Sequence, residues 1–140
     1  MTKVHQMLDF PATTAALADI RNFVNELIQT TRLSENDKEQ VVLAVDEAAT
    51  NIIKHALDYD ASQHFSISMT IAGNVLTIVL RDNGKAFDTN KLKEPDLKEY
   101  VRIKRKGGLG VYLMRQIMDQ VNFKRENTAN ITELIKALPQ

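Results

Sequence analysis

The run HFSISMTIAGNVLTIVLRD, residues 64–82, leaves the chain few ways to fold. Phe65, Ile67, Met69 and Ile71 alternate with Ser66, Ser68 and Thr70, the two-residue period of a half-buried strand. Gly73 and Asn74 supply hairpin chemistry, and Val75 to Leu80 follows as a nearly continuous apolar strand. A sheet of this kind has an apolar face to cover, so helical periodicity elsewhere in the chain decides the architecture.

Two helices precede the hairpin. Residues 4–10 read as a short strand that Pro11 ends, and Pro11 itself suits the first turn of a helix. Leu17, Ile20, Val24, Leu27 and Ile28 recur at helical spacing. Ser34 is placed to cap a second helix over residues 35–57, with Glu35 and Asp37 in its first turn, where negative charge suits the helix dipole. After the hairpin, residues 82–108 show no period and hold Gly84, Pro95, adjacent glycines and many charges. Residues 109–118 are helical again, and 121–125 and 131–138 read as closing strands, although ITELIKAL also suits a helical turn. The order implies one α+β domain over residues 1–140. Its architecture is a two-layer sandwich of a mixed, mostly antiparallel sheet with helices on one face.

Composition narrows the function classes. The 18 basic and 18 acidic side chains cancel, which argues against a dedicated nucleic-acid binder. Without cysteine there is no disulfide and no zinc thiolate site. No apolar run approaches the ~20 residues of a membrane span, and MTKVHQMLDF lacks the apolar core of a signal peptide. The expectation is a soluble, cytoplasmic protein that binds neither membrane nor nucleic acid directly.

Three constellations carry chemistry. On the second helix, Val41, Val45, Ala48, Ala49, Ile52, Ile53 and Ala56 share one apolar face. Glu47, Thr50, Asn51 and Lys54 form the opposite stripe, with Leu43 and Ala44 among them. Alone, that stripe reads as solvated surface. As a pocket wall it would offer a carboxylate able to act as a base and, one turn on, an amide oxygen able to ligate a hard cation. The second constellation is RDNGKAFD, residues 81–88, at the end of a strand. It is either a turn or a carboxylate placed to accept from an exocyclic amine, beside a glycine that removes bulk where a flat base must lie. The third is KGGLGVYLM, residues 106–114. A glycine cluster before a helix is either a flexible loop or a set of N–H groups for phosphate oxygens. Of the five glycines, Gly73 serves the hairpin, and Gly84, Gly107, Gly108 and Gly110 all fall in these two loops. That concentration favours a binding site over ordinary turns.

EAATN, DNGKAFD and GGLG, in this order and spacing, resemble the N box and the two glycine boxes of the Bergerat-type ATP-binding fold shared by gyrase, histidine-kinase and MutL-type ATPases. The run EAATNIIKHA … LRDNGKAFD … KGGLGVYLMRQIMDQV is most similar to the anti-sigma factor serine/threonine kinases of bacterial partner-switching systems. The resemblance implies ATP and Mg²⁺ as cofactors. It implies Glu47 as general base, and Asn51 as an ATP-binding residue and the Mg²⁺ ligand. Asp82 would take the adenine amine, Gly84 would give the base room and Phe87 would wall the pocket. Gly108, Leu109 and Gly110 would offer N–H groups to the phosphates, and Thr132 would stand near adenine. His55 matches a histidine common beside the N box. Residues 89–106 would form a lid whose RIKRK run could bring cations to the γ-phosphate.

The implied activity is phosphorylation of a serine on a STAS-type anti-sigma factor antagonist, coupled to sequestration of a sigma factor. Members often act as homodimers. Ala86 and Asn130 depart from the pattern, each standing in a region where many relatives have glycine. Alternatives are a nucleotide-dependent binding switch without kinase activity, a stand-alone histidine-kinase-like ATPase domain, and a fragment of a gyrase- or MutL-like ATPase.

Overall fold

The computed structural model describes residues 3–86 and 110–140. Strand β1 (Lys3–Pro11) leads into helices α1 (Ala16–Ile28) and α2 (Glu35–Asn51), and α2 runs on into a π-helical turn (Ile52–Ala56). The hairpin β2 (His64–Ala72) and β3 (Val75–Asp82) follows, and then α3 (Gly110–Ile117), β4 (Gln120–Glu126) and β5 (Ala129–Ala137). The five strands form one sheet in the order β1-β2-β3-β5-β4. Every pairing is antiparallel, so the parallel component of the expected mixed sheet is not present among the described residues.

The alternation in β2 and β3 sorts their side chains as the sequence implies. Phe65, Ile67 and Met69 are buried, as are Leu76, Ile78 and Leu80, while Ser66, Ser68 and Thr70 are half-buried. Gly73, at φ 60°, takes the first position of the two-residue turn, where a side chain would be strained. The helical layer contributes Ile20, Val24 and Ile28 from α1, Val41, Val45 and Ala49 from α2, and Met114 from α3 to the same core. Phe10 joins β1 to that core, edge-on to Phe23 with ring centroids 5.8 Å apart.

Local signals fix the helix ends. The Ser34 side chain accepts from the Asp37 N–H at 3.1 Å, so the expected cap is formed. Pro11 does not open a helix. It stays in β1 opposite His64, on an edge strand, and α1 begins only at Ala16, whose N–H is accepted by the Thr13 hydroxyl. The second helix is not one α-helix over 35–57. After Asn51 it widens, and the Leu57 N–H reaches back to the Ile52 carbonyl. The wide turn buries the adjacent Ile52 and Ile53 together. Among the described residues no helix is long and apolar enough to cross a membrane.

Candidate functional site

Polar side chains gather at two centres. The first lies between α2 and α3. Glu47 and Asn51, four residues apart, stand on one side of α2 and are half-buried. Gly110, the first described residue of α3, faces both. A methyl group there would stand 2.9 Å from Glu47 Oε2, 3.5 Å from Asn51 Nδ2 and 3.7 Å from Asn51 Oδ1. The third constellation is thus folded against the first, and only a residue without a side chain fits between them without displacing the carboxylate.

Burial raises the pKa of Glu47 above the ordinary carboxylate value, and the charge of neighbouring Asp46 raises it further. Asp46 is itself held by Arg21 Nη1 of α1 at 2.8 Å. Ala44 is fully buried and belongs to the core, not to the polar stripe. Leu43 does lie outside the core and is exposed.

The second centre is at the end of β3. On the helix-facing side, the register pairs Ile78 with Leu134, Leu80 with Thr132, and Asp82 with Asn130. This buried row therefore turns polar towards one end of the sheet. Asp82 is 1% exposed. Its Oδ1 accepts from the Gly84 N–H at 2.8 Å and from Asn130 Nδ2 at 2.9 Å. Its Oδ2 is buried and has no hydrogen-bond partner among the described residues. Burial raises the Asp82 pKa, against the lowering effects of the Asn130 and Gly84 hydrogen bonds and of Arg125. A buried acceptor left without a donor is costly to stability, so this oxygen is the least satisfied polar group at the second centre.

The space beside Gly84 is already taken by the protein. A methyl group there would collide with the Ala56 carbonyl oxygen and come within 2.9 Å of Leu57 Cδ2. The same Ala56 oxygen accepts from the Lys85 N–H at 3.0 Å, and Lys85 pairs with Asp58 at 2.6 Å. Gly84 is therefore required for the close approach of this loop to the π-helical turn.

Thr132 is buried on β5, two register positions from Asp82 and on the same face of the sheet. The β5 side chain that bonds Asp82 is Asn130, a residue the sequence marked only as a departure. Its signal was a buried-row position opposite an acidic residue, legible only once the β3–β5 register is known. Phe87, Gly108 and Leu109 lie outside the described residues, as do the lid 89–106 and its basic run.

Comparison with known proteins matches residues 10–136 to the histidine kinase-like ATPase domain. The chain is 30% identical over 123 residues to the serine-protein kinase RsbW of Bacillus cereus, covering 85% of this chain and 76% of that one. It is also 30% identical over 133 residues to the RsbW of Staphylococcus aureus strain MW2, with 90% and 84% covered. The RsbW of Halalkalibacterium halodurans is 27% identical over 133 residues, with 89% and 81% covered. A structure of the RsbU and RsbW domains of a Mycobacterium tuberculosis protein superposes with a TM-score of 0.68 at 15% identity. It covers all of this chain and 33% of its own length, and it bears on the fold alone.

Proposed function

The chain belongs to the histidine kinase-like ATPase family, and from that premise we propose that it is an ATP-dependent serine-protein kinase of the partner-switching type. Its relatives carry the name serine-protein kinase over most of their length. The single observation that carries the reading onto this chain's own residues is the pair of centres. A base-competent carboxylate and an amide gather at Gly110, and a buried carboxylate oxygen at Asp82 lacks a donor.

Asp82 Oδ2 would accept from the exocyclic amine of adenine, and Thr132 would border the base. The N–H groups at the start of α3, Gly110 among them, would face the phosphates, together with Gly108 and Leu109. Phe87 would flank the base. Asn51 would offer its amide oxygen to Mg²⁺, which takes few protein ligands and fills its shell with phosphate oxygens and water. That fits a site where, among the described residues, no three His, Cys, Asp or Glu side chains gather to hold a metal unaided. Bound there, Mg²⁺ would neutralise charge on the phosphates.

Glu47 would take the proton from an incoming serine hydroxyl as its oxygen attacks the γ-phosphorus and the bond to the β–γ bridging oxygen breaks, releasing ADP. Its raised pKa makes it a stronger proton acceptor than an exposed carboxylate, and such a base contributes ~10² to 10⁴ in rate. The substrate class is a serine on a STAS-type anti-sigma factor antagonist, and the second partner is a sigma factor held inactive.

Transfer of label from γ-labelled ATP to a STAS-type protein encoded nearby tests the reading. Wild type is expected to phosphorylate it. Glu47→Gln is expected to lose at least ~10²-fold in transfer while binding ADP as wild type does. Equal transfer by the two proteins would remove Glu47 from the mechanism. ATP binding without any transfer by wild type would leave a nucleotide-dependent binding switch.

A further inference from the structure

We propose that Asn130, held by Arg125, is a positioning residue that fixes Asp82 so that only its Oδ2 meets the ligand, as an acceptor, and thereby selects a 6-amino purine over a 6-oxo purine. The proposal rests on the reading of Asp82 as the base-binding residue and adds the device that sets its selectivity.

The amide of Asn130 is fully buried, and both of its N–H donors are used. Nδ2 donates to Asp82 Oδ1 at 2.9 Å and to the Lys85 carbonyl at 2.7 Å. Oδ1 accepts from Arg125 Nη1 at 2.7 Å. Turning the amide over would set its oxygen against two acceptors and its NH₂ against a guanidinium, so its polarity is fixed. Arg125 Nη1 also reaches the Gly84 carbonyl at 3.1 Å. The β4–β5 hairpin thus grips the end of β3 and the loop after it at three points: the Asp82 carboxylate, the Gly84 carbonyl and the Lys85 carbonyl.

The two oxygens of Asp82 become unequal as a result. Oδ1 is saturated by Asn130 and the Gly84 N–H, and Oδ2 has no partner among the described residues. An acceptor pinned in this way satisfies an amine at the purine 6-position and repels a carbonyl oxygen there. A site built to receive an N–H rejects the analogue lacking it strongly, because its own buried group is left unpaired. Without the Asn130 donor, the carboxylate is anchored only by one backbone N–H, and its orientation is no longer imposed from the sheet.

The test is calorimetric titration of the full chain with ADP and with IDP, which differ at the purine 6-position, for wild type and four variants. Taking the ADP-to-IDP affinity ratio within each variant separates base selectivity from a general loosening that weakens both ligands alike. Wild type is expected to prefer ADP by more than ~100-fold. Asn130→Leu is expected to lower that ratio at least ~10-fold, the scale of a lost hydrogen bond to a charged group. Asn130→Asp places a second carboxylate against Asp82. One shared proton then supplies a donor, and the ratio moves furthest towards IDP. Asn130→Thr keeps one hydroxyl donor for Asp82 and retains the ratio to within ~3-fold of wild type, a rescue that a merely structural role would not give. Arg125→Met alters an exposed residue and tests the outer link if the buried variants fold poorly; its ratio is expected to fall ~3- to 10-fold. A wild-type ratio in both Asn130→Leu and Arg125→Met, or in Arg125→Met alone where Asn130→Leu does not fold, overturns the inference and leaves the kinase reading standing. Failure of wild type to bind ADP at millimolar concentration overturns both.

Discussion

At the scale of single residues, the site depends on close approach and on carboxylates that the fold takes partly or wholly out of water. Gly110 is the sharpest case. A methyl group 2.9 Å from Glu47 Oε2 cannot be absorbed by the helix it sits in, so the carboxylate has to move. Gly110→Ala should fold at least as well as wild type, because alanine favours the first turn of a helix. It should lose on the order of 10²-fold in phosphoryl transfer, the scale of a misplaced reacting group. Melting curves and single-turnover kinetics on one preparation check both halves.

Asp82 gives a prediction with the opposite balance. Its pKa is raised in the folded chain above the ordinary 3.8. Above the folded value the carboxylate is charged in both states, and its burial opposes folding. As pH falls through that value the native state takes up a proton that the unfolded state does not, so the penalty is relieved, and it is gone below 3.8. Asp82→Asn keeps an acceptor for Gly84 and Asn130 and removes the charge. Urea unfolding should find the variant more stable than wild type at pH 8, with the margin shrinking as pH falls towards the unfolded value of 3.8, while ADP binding is lost. A margin independent of pH would show that the charge of Asp82 is not what opposes folding.

At the scale of elements, α2 positions the chemistry, and its neighbours tune it. Arg21 of α1 holds Asp46, and Asp46 in turn raises the pKa of Glu47, second to burial. Glu47 acts as a base only when deprotonated, so transfer should rise with pH through its pKa. Asp46→Asn removes one of the two causes of the shift. The acid limb of kcat/KM is expected to move to lower pH, at a cost in stability of no more than ~1 kcal/mol from the lost exposed ion pair. A pH–rate profile of the two proteins decides it, and an unmoved limb would mean that burial alone sets the basicity of Glu47. The π-helical turn at the end of α2 has a comparable role towards the second centre. By widening after Asn51 it buries two consecutive isoleucines and presents the Ala56 carbonyl to the Lys85 N–H. One helix thereby carries Glu47 and Asn51 and, through its π-helical turn, anchors the loop that follows Asp82.

At the scale of the whole molecule, the single antiparallel sheet ends its buried row in the polar pair Asp82–Asn130. A ligand that satisfies Asp82 Oδ2 binds the folded chain and not the unfolded one. ADP at a hundred times its dissociation constant should therefore stabilise the protein by about 2.7 kcal/mol. Thermal melting should report an upward shift with wild type and none with Asp82→Asn. The sequence by itself determined the strands, the three helices, the Ser34 cap and the hairpin at Gly73. Those follow from period, turn chemistry and order along the chain, which are local properties. It misjudged Pro11, the end of the second helix and Ala44, because an edge position, a widened turn and a neighbour's packing are not written in local pattern. Only the tertiary structure set Gly110 against Glu47 and Asn51, filled the space beside Gly84 with the Ala56 carbonyl, and brought Asn130 to Asp82. Each of those contacts joins residues far apart in the chain, and their distances are fixed by strand register and helix packing, which no spacing along the sequence encodes.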